Sequence, residues 1–442
     1  MKIYLDSVGC RLNQSEIETY ARQFRASGHV LVPELRQADA LVLNTCAVTA
    51  AAASDSRQKI RQAQRAGVDE IIVTGCWSEL EAAKAAAMPG VSRVVPNQHK
   101  DSLVSDLLQI QVDEFELEPL AREPIPGDRL RTRAYIKAQD GCDNRCTFCV
   151  TTIARGASRS RTTPQVLTDV QAALNGGAKE VVLTGVHLGS WGYDLGEGLH
   201  LKDLVRAVLG LEELPRLRLS SLEPWDLDAD FFELWEDPRL CRHLHLPLQS
   251  GSAATLRRMA RNTTPEKFAA LASAAREAVP DLALTTDIIV GFPGESEREF
   301  EESYRFVEAM QFADAHVFTY SEREGTAAAL MPAAVHNASR KERNTAMRAL
   351  IAESAQRYKR RFLGRQMDVL WESQSALEDG DFHAIGLTDN YLRVESASPR
   401  SLWNELAPAK LMALTANGMR GALVDVPQDR WFEQTKELQD AR

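Results

Sequence analysis

The 442-residue sequence lacks any uninterrupted apolar run near the ~20 residues that a membrane-spanning helix requires, so no membrane span is expected. It opens Met1-Lys2-Ile3-Tyr4-Leu5-Asp6, with no charged head leading into an apolar stretch, which argues against a secretory leader and for a cytoplasmic location. Cysteine is scarce: seven residues, at 10, 46, 76, 142, 146, 149 and 241. An odd, small set in so long a chain excludes a disulfide framework and favours metal or catalytic use. Positive charge is also in deficit. The formal net charge is −10, which by itself speaks against a nucleic-acid partner. Compositional bias is absent too, with 44% hydrophobic and 26% charged residues, so the chain is expected to fold. Its length calls for two or three domains.

What is there is a repeated alternation of strands and helices. Short apolar runs at Lys2–Asp6, Ala40–Asn44 and Glu70–Thr74 read as strands. Helical patterns near Ser15–Ser27, Ser54–Ala66 and Ser78–Met88 complete a parallel sheet with crossover helices. Each of those three strands is followed within four residues by a cysteine: Cys10, Cys46 and Cys76. Loops at the carboxyl ends of parallel strands gather on one edge, so three thiols distant in sequence are expected to meet. The polar, Pro-containing stretch Asp113–Asp128 reads as a linker.

Beyond it the alternation resumes. Candidate strands are Ala134–Ala138, Glu180–Thr184, Arg216–Ser220, His243–Pro247, Thr285–Val290 and Ala315–Thr319. Candidate helices lie near Pro164–Leu174, Leu201–Leu211, Ala229–Trp235, Pro265–Ala278 and Ser296–Met310, and a long basic helix near Ser339–Phe362 follows. Six such units predict an incomplete (β/α)6 barrel with its chemistry at the strand carboxyl ends. After Gly364, short strands at Val369–Trp371, His383–Leu387, Tyr391–Val394 and Ala422–Val426 predict a small all-β barrel. A polar tail begins near Gln428. The expected division is 1–112, 128–363 and 364–427, and the fold class is α/β.

The chemistry is concentrated in Gly141-Cys142-Asp143-Asn144-Arg145-Cys146-Thr147-Phe148-Cys149, a C-x₃-C-x₂-C motif after the first barrel strand. Thiolates hold iron–sulfur clusters, and a four-iron cluster ordinarily takes four. Three local ligands leave one iron open. A structural zinc site wants a second cysteine pair or nearby histidines, and neither is present here. Cys241 has no such context and reads as a buried structural thiol.

This motif resembles that of the radical S-adenosylmethionine superfamily. Further segments resemble its methylthiotransferase branch: Val8-Gly9-Cys10-Arg11-Leu12-Asn13, Leu43-Asn44-Thr45-Cys46-Ala47-Val48-Thr49 and Val73-Thr74-Gly75-Cys76 in the first domain. Leu183–Gly189, Leu246–Gly251 and Asp287–Glu295 do so in the barrel, and the terminal β-barrel resembles a TRAM domain. The resemblance implies two [4Fe-4S] clusters, one on Cys142, Cys146 and Cys149 and an auxiliary one on Cys10, Cys46 and Cys76. One molecule of S-adenosylmethionine would methylate sulfur at the auxiliary cluster. Another, cleaved by an electron from an external donor, would give the radical that opens an unactivated C–H bond. Phe148, Gly185, Ser220 and Gln249, at or near predicted strand ends, are candidates to cradle that cofactor.

Thr45–Thr49 with Ser56-Arg57-Gln58-Lys59-Ile60-Arg61 resembles the subgroup that modifies N6-threonylcarbamoyladenosine beside the tRNA anticodon. Isopentenyladenosine in tRNA, a ribosomal-protein aspartate, and a non-catalytic RNA-binding iron–sulfur protein are the alternatives. Charge is divided on the question. Arg129, Arg131, Arg133, Lys137, Arg145, Arg155, Arg159 and Arg161 surround the cysteine motif, and the long helix and its end carry Arg340, Lys341, Arg343, Arg348, Arg357, Lys359, Arg360, Arg361 and Arg365. Phosphate binding needs such patches. The terminal barrel is instead acidic, which suits a basic protein partner better.

Overall fold

The computed structural model describes residues 1–110, 125, 132–196, 198–377 and 380–424. The expected linker and the polar tail fall almost wholly outside these. The amino-terminal sheet comprises β1 (Lys2–Ser7), β2 (Val30–Leu31), β3 (Ala40–Thr45), β4 (Glu70–Gly75) and β5 (Val91–Val95), in the order β2-β1-β3-β4-β5. All pairings are parallel. β3 lies between two neighbours, and all six of its residues are buried. That explains why it reads as a near-continuous apolar run. Helices Arg11–Ala26 and Ala50–Ala66 cross over; the second is capped by the Thr49 hydroxyl, which accepts from Ala52 N–H at 3.0 Å. The single helix expected over Ser78–Met88 is two, Cys76–Leu80 and Ala82–Ala86, because Glu81 (φ −122°, ψ 43°) leaves the helical region. β2 and β5 were not expected. One is two residues long, and the other is an edge strand with exposed Ser92 and Arg93 that hide any apolar period.

Six parallel strands form the central unit: β6 (Arg133–Lys137), β9 (Glu180–Thr184), β10 (Leu217–Leu219), β11 (His243–His245), β12 (Ala283–Val290) and β13 (Asp314–Thr319). A small hairpin, β7 (Gln139–Asp140) with β8 (Arg159–Ser160), brackets the cysteine motif. The six strands divide into β10-β9-β6 and β11-β12-β13, joined by parallel bridges Leu217↔Leu240 and Ser221↔His245. Spatial order thus follows chain order, and among the described residues β6 does not pair with β13. The barrel is open, as expected. Its helices include Thr163–Asn175, Leu201–Leu209, Pro265–Ala278, Glu297–Met310 and Asn337–Arg360. The Ala229–Glu236 segment is a 3₁₀ helix. Strand and helix side chains share one core that includes Val181, Leu183, Leu204, Phe268 and Phe312.

The chain ends in a closed five-stranded barrel: β14 (Gln366–Ala376), β15 (Phe382–Thr388), β16 (Arg393–Ser398), β17 (Leu406–Leu414) and β18 (Met419–Leu423). β17 was not expected, because Ala407-Pro408-Ala409-Lys410 are weak strand formers. Its pairing with both β14 and β18 supplies what propensity does not. The turn between β15 and β16 is pressed against the amino-terminal ends of the central strands. Arg218 donates to the Thr388 and Asp389 carbonyls, and Arg242 pairs with the Asp389 carboxylate at 2.6 Å. Among the described residues no helix is long and apolar enough to cross a membrane.

Candidate active site

All six cysteines of the two expected triads line one cavity of about 550 Å³: Cys10, Cys46 and Cys76 from the first sheet, and Cys142, Cys146 and Cys149 from the barrel. Cys241 does not; it is buried beside Glu180, as expected of a structural thiol. The first triad converges because each thiol follows a parallel strand at the same sheet edge. Close approach there demands glycine. Gly9 sits at φ +103°, and a Cβ on it would lie 2.5 Å from Cys46 Sγ. Asn13 ties the loops together. Its amide donates to Val8 O (2.8 Å) and Thr45 O (3.1 Å), and its carbonyl accepts from Arg155 (2.7 Å). Ser56 accepts the Cys46 N–H at 3.2 Å.

Burial pushes the Cys46 thiol up to about 11, and burial likewise raises Cys146 although Arg261 opposes it from 3.6 Å. Thiols so placed keep their protons unless a metal replaces them. The donor set fits iron–sulfur ligation: three cysteines from each of two domains line the cavity, with no second cysteine pair to close either site as zinc.

The residues expected to cradle a cofactor also line this cavity. Ser220 Oγ is buried without a hydrogen-bond partner, and the Gln249 side chain has none among the described residues. Gln249 is also held at φ +70°, a strained value for a residue with a side chain. The orphaned Ser220 hydroxyl, with the Gln249 amide at the neighbouring strand end, fits a polar ligand. Phe148 packs edge-on against Phe292, with ring centroids 6.4 Å apart. At Gly185 the crowding comes from the protein. A Cβ would stand 2.8 Å from Gln139 Oε1, which accepts the His187 N–H.

Several cavity residues escaped the sequence reading. Arg261 pairs bidentately with Glu223 (3.0 and 2.5 Å) and lies 4.5 Å over Trp225. On β11–β13, His245 and His316 share Asp287, at 3.3 and 3.1 Å. Burial opposes ionisation of Asp287, yet its two histidine partners hold it well below the usual carboxylate range. The alternation of His243 and His245 on a predicted strand was the available signal that both face one side. From the terminal barrel comes Tyr391, whose ring stacks on His243 at 4.2 Å. Next to the cavity, His187 holds Asp226 at 2.6 Å. Burial works against the charged imidazole, but the Asp226 carboxylate and the Cys142 sulfur together prevail and lift it to about 10.

The basic patch expected around the cysteine motif is mostly not a free surface. Arg133 pairs with Glu372, Lys137 with Asp101, Arg155 with Glu16 and Asp140, and Arg161 with Asp169. In the local sequence only Asp140 and Asp143 oppose these cations; Glu16, Asp101, Asp169 and Glu372 are brought in by other elements. Arg145 and Arg159 remain exposed, and Arg129 and Arg131 lie outside the described residues. On the long helix Arg343 is buried against Glu295, and near its end Arg361 and Arg365 pair with Asp281. Lys341, Arg348 and Arg357 remain exposed.

A half-open parallel barrel with a three-thiol loop after its first strand is the architecture of a radical S-adenosylmethionine enzyme. The model of the Radical SAM superfamily matches residues 136–307, and that of the Uncharacterized protein family UPF0004 matches residues 2–96. Threonylcarbamoyladenosine tRNA methylthiotransferase MtaB of Bacillus subtilis (strain 168) is 34% identical over 441 residues, covering 97% of this chain and 98% of that protein. A tRNA-2-methylthio-N(6)-dimethylallyladenosine synthase of Caldicellulosiruptor saccharolyticus is 34% identical, covering 84% and 82%. Among solved structures, the radical S-adenosylmethionine methyltransferase TsrM of Kitasatospora setae shares the fold, with a TM-score of 0.55 at 14% identity over 72% of each chain. The chain belongs to the radical S-adenosylmethionine methylthiotransferase family. It is a radical transferase, and its cofactors are S-adenosylmethionine and [4Fe-4S] clusters.

Proposed function

We propose that this enzyme adds a methylthio group to C2 of N6-threonylcarbamoyladenosine 3′ to the anticodon of tRNA. The observation that carries the reading is the meeting of all six thiols in one cavity, which a transfer of sulfur to a radical-activated carbon requires. Relatives from Bacillus subtilis, Thermotoga maritima and Aquifex aeolicus named for this nucleoside, at 32–34% identity, support the substrate. In this reading Cys142, Cys146 and Cys149 hold the cluster that meets S-adenosylmethionine, and Cys10, Cys46 and Cys76 hold the auxiliary one. When bound, these groups supply an electron from an external donor, a 5′-deoxyadenosyl radical, a methyl donor and a sulfur site.

The chain's own residues orient and enclose. Ser220 and Gln249 offer hydrogen bonds to the polar parts of the cofactor, and Phe148 offers a ring to its adenine. Arg261 sets a positive charge beside Cys146. Asn13 and Arg155 hold the first sheet against the barrel, so the spacing between the two triads is constant. The units are residues 1–112, 128–363 and a TRAM-like 364–427. Deleting the gene and analysing tRNA nucleosides by mass spectrometry tests the substrate. Loss of the methylthio form of threonylcarbamoyladenosine is expected, and its persistence refutes the assignment.

A further inference from the structure

Three arginines line the cavity, and two are neutralised. Arg155 has Glu16 and Asp140, and Arg261 has Glu223. Arg11 has no carboxylate within ion-pair distance among the described residues. Its guanidinium donates to the Tyr391 hydroxyl at 2.7 Å and lies 5.9 Å over the Tyr135 ring. Partly buried and without a carboxylate partner, this guanidinium is open to an anionic ligand in the cavity. Two carboxylates line the β12–β13 wall, neither within ion-pair distance of Arg11. Asp287 is divided between His245 and His316, and Asp314 accepts its neighbour's N–H at 2.8 Å. Tyr391, which accepts from Arg11, stacks on His243, so the guanidinium lies on the β11 side of the cavity.

We infer that Arg11, with the Tyr391 hydroxyl it holds, is the subsite that reads the carboxylate of the threonylcarbamoyl group on the substrate base. The inference rests on the threonylcarbamoyladenosine reading above. It assigns the choice between a charged and an uncharged N6 substituent to one residue of the first domain. A planar guanidinium matches a carboxylate in two parallel hydrogen bonds, which neither lysine nor an amide reproduces.

The test uses the iron-reconstituted full chain and two tRNAs identical except at the substituent, one bearing the free acid and one its methyl ester. Phosphate contacts to the tRNA body cancel between them. The wild type is expected to prefer the acid in kcat/KM by about 10- to 100-fold, the worth of charge-assisted hydrogen bonds. In Arg11→Gln the preference should collapse toward unity, while Arg11→Lys keeps part of it. Turnover of the ester by the variants reports that they fold and load iron. An Arg11→Gln enzyme that still prefers the acid as the wild type does would overturn the proposal, as would a wild type indifferent to esterification. A raised KM for S-adenosylmethionine in Arg11→Gln, with the acid preference intact, would assign the guanidinium to the cofactor's carboxylate instead. If the wild type modifies isopentenyladenosine tRNA and neither of these substrates, the substrate reading itself falls and the subsite with it.

Discussion

Glu180→Gln tests how the terminal barrel is fastened beneath the active site. Glu180 opens β9 and is fully buried. It accepts two hydrogen bonds from Arg218 (2.6 and 3.1 Å), and Arg216 lies 3.0 Å away. Arg218 in turn donates to Thr388 and Asp389 in the turn that carries Tyr391 to the cavity. Burial disfavours the Glu180 carboxylate, but the two arginines outweigh it and bring its pKa down to about 2. Against an unfolded value of ~4.3, that depression is worth roughly 3 kcal/mol at neutral pH. Removing one partner of a buried pair costs about 3–5 kcal/mol, so the two estimates agree. A unit of this size loses about 2–4 °C of Tm per kcal/mol, which predicts a drop of roughly 6–12 °C in the variant. The sign of the pH effect follows from the depressed pKa. The contribution is fully present above about pH 5 and is lost as the pH falls through 4 toward 2. Cluster-free protein unfolded by urea at pH 7 and pH 3 gives the measurement. The gap between wild type and variant should shrink to roughly half at pH 3. A variant within about 1 kcal/mol of the wild type, the level of an exposed pair, would refute the reasoning. A gap that does not change with pH would trace the loss to packing rather than charge.

Replacing Cys142, Cys146 and Cys149 together by alanine should leave about four of about eight irons per chain and abolish 5′-deoxyadenosine formation, measured on anaerobically reconstituted protein. Replacing Cys10, Cys46 and Cys76 should leave the same iron count but retain 5′-deoxyadenosine formation. Equal loss of all iron in both variants would argue against independent clusters. Gly9→Ala puts a methyl where Cys46 Sγ stands and should lower iron toward about four with the radical cluster's electron paramagnetic resonance signal retained. Full iron in that variant would show that the loop yields.

The cysteines, the strand-and-helix alternation and the order of the three units were legible because each rests on local pattern. A run such as Ala40–Thr45 is apolar along its whole length since both its faces are covered, and that is visible without coordinates. The Pro265–Ala278 helix likewise announces itself by the Thr264 cap and the proline at its first position. Glu81, which breaks one expected helix, and β17, with its weak strand formers, were illegible because their conformations are set by neighbours rather than by their own preferences.

What the sequence alone determined is which atoms can ligate iron and where along the chain they occur, since thiolate chemistry is a property of residue type. Only the tertiary structure decided that both triads open on the same cavity. It also decided that the arginines around the motif are mostly spent on carboxylates brought in by other elements, and that Arg11 is not. Charge in a sequence is a sum; in a fold it is a set of distances, and Coulomb energies depend on the distances. Tyr391 reaches the cavity for the same reason: a turn of the last domain meets the barrel through Arg218 and Arg242, and no local pattern encodes that meeting.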